Sequence, residues 1–188
     1  MSSLHRPSPV TAAVVVFLCA AAASAQHRMS PNNLAPFVPT PEPVVEKMLE
    51  AGSLKPGETL YDLGCGDGRI LFTAAQKFGA RAVGVELSAK LVKGVVEKVQ
   101  ALGLQNQIQV IEGNLLDVDL RSADVVTLYL MRLTNEKLKP ILRKQLKPGA
   151  RVISHDYEIM GWKPERVDRV VVYQRPHAIF VYRMPPVE

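Results

Sequence analysis

The stretch Tyr61-Asp62-Leu63-Gly64-Cys65-Gly66-Asp67-Gly68-Arg69-Ile70 decides how this chain is read. Residues 58–63 predict a short buried strand. Residues 69–78 predict a helix, with Ile70, Leu71, Ala74, Ala75 and Phe78 at helical spacing. Three closely spaced glycines join the two. Glycine takes positive φ at little cost and lets a ligand approach the main chain with no Cβ in the way. The helix that follows offers unpaired N–H groups at its start. Such a strand, turn and helix make a corner that can cradle a nucleotide.

Outward from this corner, strand and helix alternate. Ahead of it, Thr40 predicts an N-cap with Pro41 at the first helical position, opening a short amphipathic helix that ends near Gly52. Behind it, residues 80–86 predict a second strand. Ser88 predicts the cap of a helix through Leu102, with Leu91, Val92, Val95, Val99 and Leu102 on one face and Gly103 as its stop. Residues 107–112 and 123–130 predict two more strands, the latter almost wholly apolar as a central parallel strand should be. Residues 134–146 predict a helix kinked or restarted at Pro140. Residues 150–157 predict a fifth strand. Two last strands, 167–173 and 178–184, are separated only by residues 174–177, so they pair antiparallel. The expectation is an α/β three-layer sandwich of Rossmann-like type: a mostly parallel seven-strand sheet with a C-terminal antiparallel hairpin.

The first residues are of a different kind. Arg6 precedes an uncharged apolar run, residues 10–23, and Ala23-Ser24-Ala25 leads into polar sequence at Gln26. This is the pattern of a secretory signal peptide, and the run is short for a membrane span. Residues 1–25 are therefore expected to be a signal peptide or an N-terminal anchor, with the protein exported, periplasmic or membrane-anchored. Residues 26–40 form a linker and lead-in, and residues 41–188 the folded domain. With residues 1–25 removed, Cys65 is the only cysteine, which excludes an intramolecular disulfide.

The 188 residues suit one domain, and 47% hydrophobic content supplies its core. A net charge of +5 is mildly basic. No Lys/Arg run is interleaved with aromatics as a single-strand surface needs, so no nucleic acid partner is expected. The histidines His5, His27, His155 and His177 are dispersed along the chain, and no metal is expected.

Two ligand families use a glycine corner of this kind. The dinucleotide fingerprint places its third glycine one residue further on than Gly68. Asp62 and Asp67 would also repel a pyrophosphate, whereas a cofactor carrying an ammonium and a sulfonium would be attracted. The charges thus favour S-adenosyl-L-methionine over a nicotinamide dinucleotide. Glu86 ends the second strand, 24 positions after Asp62, where a parallel sheet brings its carboxylate beside the turn and within reach of ribose hydroxyls.

Residues 61–68, with Gly84-Val85-Glu86, Glu112-Gly113-Asn114 and Leu146-Lys147-Pro148-Gly149, resemble the successive motifs of the class I (seven-strand) S-adenosylmethionine-dependent methyltransferases. The resemblance covers roughly residues 36–184. It implies that Asp62, Gly64, Cys65, Gly66 and Gly68 lie under the methionine part of the cofactor, that Glu86 takes the ribose, and that Leu87 flanks the adenine. Asn114 falls where the family commonly has an acid; an amide oxygen can still accept there, without charge assistance. Pro36-Phe37-Val38-Pro39-Thr40, Asp67-Gly68-Arg69 and Gly161-Trp162-Lys163-Pro164 are further similar to the mitochondrial protein-lysine methyltransferases of the ATP synthase c subunit and the adenine nucleotide translocase. That resemblance implies a lysine acceptor in a membrane-associated protein. A small-molecule acceptor, or an exported and inactive adenosyl-ligand binding module, stays open at this point.

Methyl transfer needs a positioned nucleophile, and an amine must be neutral to attack. Acceptors bind at the carboxyl ends of the strands. The candidates there are Tyr129 after the fourth strand and His155, Asp156 and Tyr157 at the end of the fifth. An Asn-Pro-Pro-Tyr signature is absent, Leu128-Tyr129-Leu130-Met131 standing in its place, so a DNA-adenine or glutamine acceptor is not expected. Phe37 is expected to close over the cofactor or to anchor the lead-in, and Trp162 to wall the acceptor site or to pack.

Overall fold

The computed structural model describes residues 37–187. The expected signal peptide or anchor, and most of the linker, lie outside the described residues. The elements are α1 (Glu42–Ala51), β1 (Thr59–Leu63), α2 (Arg69–Phe78), β2 (Arg81–Glu86), α3 (Ala89–Ala101), β3 (Ile108–Glu112), β4 (Val125–Leu128), α4 (Arg132–Gln145), β5 (Arg151–His155), β6 (Arg166–Val172) and β7 (Arg175–Arg183). They build one seven-strand sheet in the order β3-β2-β1-β4-β5-β7-β6. β1 to β5 are parallel; β7 runs antiparallel to both β5 and β6. This is the expected α/β class.

Period-two alternation along the strands divides the core between two faces. Leu60, Val125 and Ile153 face one layer, where Val45 and Met48 of α1, Leu71 and Ala75 of α2, and Val95 and Val99 of α3 are buried. Leu63, Val126, Leu128 and Val152 face the other, where Leu138 and Leu142 of α4 pack with Leu115, Val118 and Leu120. Trp162 belongs to that second core. It is buried and lies edge-on to Tyr182, with ring centroids 5.8 Å apart, so packing is its role.

The chain winds outward from β1 to β3, then returns through β4 on the other side of β1. Adjacent connections therefore leave in opposite directions between β1 and β4, and a crevice opens at the carboxyl ends of those strands. The register sets Asp62 opposite Thr127 there.

Four local expectations are corrected. Thr40 does not cap α1: Pro41 occupies the cap position, and the Thr40 hydroxyl lies 3.3 Å from His155 Nδ1, a long-range partner that displaces the local one. Ser88 holds the cap position of α3 without a side-chain bond, its N–H going to Glu86 instead. Leu102 follows the last turn of α3 and is 46% exposed, off the buried face. The helix is not restarted at Pro140: one helix runs from Arg132 to Gln145, with Pro140 on its exposed side.

The connection between the last two strands is also shorter than expected. Tyr173 and Gln174 take φ of +51° and +63°, the two positive angles of a type I′ hairpin turn. β7 thus begins at Arg175, and His177 becomes a strand residue beside the end of β5.

Candidate active site

The glycine turn is built as its sequence requires. Gly64, Gly66 and Gly68 all take positive φ, at +85°, +55° and +76°. The turn is tied down from β2, since the N–H groups of Gly64 and Cys65 both donate to the Val85 carbonyl. A Cβ on Gly68 would come within 2.8 Å of Val95 Cγ1, so this glycine also lets α3 pack against the corner. Cys65 turns its side chain into the core beside Gly84, where a Cβ would lie 2.6 Å from the sulfur. Burial, with Asp62 and Glu86 nearby, pushes the thiol far above its usual range and leaves it unreactive.

Glu86, at the end of β2, reaches across to the glycine turn that follows β1. One carboxylate oxygen accepts from the Gly66 N–H and the other from the Ser88 N–H, each at 2.9 Å. Each oxygen keeps a lone pair for a ligand hydroxyl. Leu87, the next residue, is exposed at the same end of the sheet. Asn114 lies beyond β3, where its side-chain oxygen accepts from the Leu116 N–H at 3.0 Å. The amide oxygen at this position thus serves its own loop with one lone pair and keeps the other for a ligand donor.

Asp62 is the buried charge of the site. Its carboxylate accepts from Thr127 Oγ1 at 2.8 Å. Burial raises its pKa to about 7; the Thr127 hydrogen bond opposes this, and Glu86 and Asp67 add to it. Asp67 is a different case. Arg69 Nε and Nη2 hold it bidentately, and that hydrogen bonding keeps its carboxylate below the usual range. Asp67 is therefore already paired, which corrects the expectation that both acids attract a cation. Arg69 Nη1 also donates to the Thr40 carbonyl at 2.8 Å, fastening the lead-in over the turn. Phe37 lies on the same corner, close enough that a Cβ on Gly66 would meet its ring at 2.5 Å.

The acceptor-side candidates come together at the ends of β4 and β5. The Tyr129 ring lies against His155 with centroids 4.0 Å apart and 6.2 Å from Tyr157. His155 is fully buried behind it, which keeps its imidazole neutral, with a pKa of about 4. Asp156 takes φ +60°, and its Oδ1 accepts from the Ala178 N–H at 2.8 Å. The structure also overturns the reading of the histidines as dispersed: His155 Nε2 and His177 Nδ1 stand 3.0 Å apart, with Asp156 Oδ2 within 3.2 Å of both. His177 was legible only from the β5–β7 register. Thr40, bonded to His155, was likewise missed.

A doubly wound sheet with a glycine turn at its switch point, an acid under the turn and a second acid at the end of the next strand defines the class I methyltransferase architecture. Residues 62–166 match the ANTKMT methyltransferase domain family. The chain is 43% identical over 148 residues to a protein-lysine N-methyltransferase of Saccharolobus islandicus, covering 78% of this chain and 92% of that one. It is 32% identical over 143 residues to the adenine nucleotide translocase lysine N-methyltransferase of Mus musculus, covering 73% of this chain and 62% of that one. A crystal structure of an RNA methyltransferase from Salinibacter ruber with S-adenosyl-L-homocysteine superposes with a TM-score of 0.74 at 41% identity, covering 79% of this chain and 94% of that one. The chain belongs to the ANTKMT methyltransferase domain family and is an S-adenosylmethionine-dependent methyltransferase.

The residues present fit that cofactor. The groups bearing on the buried Asp62 are one neutral hydroxyl and two further acids, a setting that a bound cation relieves. Glu86 offers acceptors for hydroxyl groups, and Gly64 exposes its backbone at the mouth of the turn.

Proposed function

We propose that this enzyme methylates a lysine side chain of a protein, and that the protein is membrane-associated. The 43% identity to the lysine N-methyltransferase, over 92% of its length, carries the acceptor. Bound S-adenosylmethionine supplies a methyl group on a positively charged sulfur. The chain's own residues do the rest. Asp62 balances the cofactor's positive charge, Glu86 holds its ribose, and the lead-in through Phe37 and Thr40 covers the turn. Tyr129, just past the end of β4 with its ring on the buried His155, forms the wall along which an amine approaches. His155 and Asp156 act behind it as positioning residues, since His155 is wholly buried and Asp156 is engaged with β7.

The membrane association is supported by the rim of the site. Leu87 follows the end of β2, Met131 and Leu133 follow the end of β4, and Phe37 lies on the glycine turn; all four are exposed. Leu133, at 78% exposure, lies in the first turn of α4. Exposed apolar side chains that share the end of the sheet with the site suit an apolar partner. The apolar run of residues 10–23 agrees with export or anchoring.

The test is methyl transfer from labelled cofactor into membrane fractions, soluble protein and RNA, with mass spectrometry of the products. Methyl-lysine in a membrane protein is the expected result. Label confined to RNA or to small molecules would overturn the lysine assignment. Sequencing the mature N-terminus reads the localisation: Gln26 means cleavage, and Met1 or Ser2 means an anchor.

A further inference from the structure

Behind the Tyr129 wall, the end of β5 and the start of β7 bring three ligand atoms to one point. His155 Nε2 lies 3.0 Å from His177 Nδ1 and 3.2 Å from Asp156 Oδ2, and His177 Nδ1 lies 3.0 Å from the same oxygen. As a hydrogen-bonded set this triangle is frustrated. A carboxylate only accepts, and each nitrogen presents either one N–H or one lone pair. With both nitrogens protonated, two donors face each other. With one protonated, a lone pair faces either the other nitrogen or the carboxylate. Every arrangement leaves at least one edge with like facing like, whereas a cation at the centre turns all three atoms into ligands.

The dimensions suit a metal ion. Ligands at about 2.1 Å from an ion stand about 3.0 Å apart at octahedral angles and about 3.4 Å apart at tetrahedral ones, so the triangle fits the first as it stands and zinc after a small outward shift. The outer contacts are those a ligand set needs. His155 Nδ1 lies 3.3 Å from Thr40 Oγ1; with the proton on Nδ1, the Nε2 lone pair faces the triangle. Asp156 Oδ1 is occupied by the Ala178 N–H, which leaves Oδ2 for the ion. The Asp156 side chain is 28% exposed, so ions and water can reach the site.

We propose that His155 Nε2, Asp156 Oδ2 and His177 Nδ1 form a binding site for a divalent first-row transition-metal ion, with the remaining coordination positions filled by water. Two imidazoles and one carboxylate are the donor set of zinc and iron(II) sites. The ion joins the end of β5 to the start of β7 and, through Thr40, to the lead-in that Arg69 fastens over the glycine turn. It supports the wall of the acceptor site from behind and holds no part of the cofactor.

The test is calorimetric titration of chelator-treated protein with zinc chloride, alongside titration of the same samples with S-adenosyl-L-homocysteine. Wild type is expected to take up one zinc per chain. Asp156→Asn and His177→Gln are each expected to weaken zinc at least about tenfold. Asn tolerates the positive φ of Asp156, and retained S-adenosyl-L-homocysteine binding by His177→Gln shows that the fold survives. No saturable zinc binding by wild type, or zinc bound by either variant as tightly as by wild type, overturns the site. Because cofactor binding is read separately, either outcome leaves the methyltransferase assignment standing.

Discussion

Thr127 Oγ1 donates to Asp62 Oδ1 at 2.8 Å across the switch point between β1 and β4. It is a neutral donor on a buried acid whose pKa burial lifts to about 7. A bound cation favours the carboxylate, so cofactor binding must expel a proton wherever Asp62 is still protonated. Affinity for S-adenosylmethionine should therefore rise with pH, by up to about tenfold per unit, and flatten above pH 7. Calorimetry in buffers of different ionisation heat reads the proton release directly. Thr127→Val removes the one bond that lowers this pKa and should move the profile to higher pH. A flat profile with no proton exchange would mean that Asp62 does not meet the cofactor's charge.

The same group sets a cost on the fold. Its folded pKa lies above the ordinary carboxylate value of 3.8. Its contribution to stability is thus fully present below that value and is lost as pH rises through about 7. Asp62→Asn should raise stability at pH 8 by on the order of 2–4 kcal/mol relative to wild type. The gain should vanish near pH 4, while the loss of cofactor binding should be largest at pH 8, where wild-type Asp62 is ionised. Urea unfolding at the two pH values checks the sign; equal differences at both would show that Asp62 ionises normally in the folded state.

Glu86 carries both a structural and a ligand-binding duty, since its two oxygens already hold Gly66 and Ser88. Glu86→Ala should weaken S-adenosyl-L-homocysteine by about 1.5–3 kcal/mol, the scale of a charged hydrogen bond. Glu86→Gln keeps one acceptor oxygen and should fall between the two. Affinity unchanged in the alanine variant would place the ribose elsewhere.

Sequence made the cofactor side legible because its interactions are local or one strand apart. The three glycines, Asp62 and Glu86 belong to one strand–turn–helix–strand unit, whose parallel register follows from the alternation of elements. The acceptor side is made by longer returns. His177 reaches His155 only because a two-residue turn at Tyr173 and Gln174, neither of them glycine, starts β7 early. Thr40 carries every mark of a helix cap, yet its hydroxyl goes to a residue 115 positions away. Asp67 looked like a free charge because the reach of Arg69, two residues on, depends on the turn's backbone.

That pairing gives a prediction of its own. Arg69 joins Asp67 to the Thr40 carbonyl, and both charged side chains are partly exposed, so solvent screens the pair. Arg69→Ala should cost only about 1 kcal/mol of overall stability. Its larger effect should be local: faster amide exchange at the start of α1, with α2 and β1 unchanged. Uniform loss of protection across the domain would instead make Arg69 a general stability residue.

Phe37 and Gly66 offer a cleaner separation of two effects at the turn. A Cβ at Gly66 meets Phe37 Cε2 at 2.5 Å, and Gly66 also takes φ +55°. Gly66→Ala therefore suffers both a clash with the ring and the intrinsic penalty of a left-handed alanine, about 1–2 kcal/mol. Phe37→Ala removes only the ring, which is 52% exposed, and should change stability little. In the double variant the clash is gone and the backbone penalty remains. The cycle should accordingly show a favourable coupling: the double variant more stable than Gly66→Ala alone, yet still below Phe37→Ala by the left-handed penalty. If the two substitutions simply add, the ring does not rest on the turn in solution. The lead-in would then have no part in covering the cofactor.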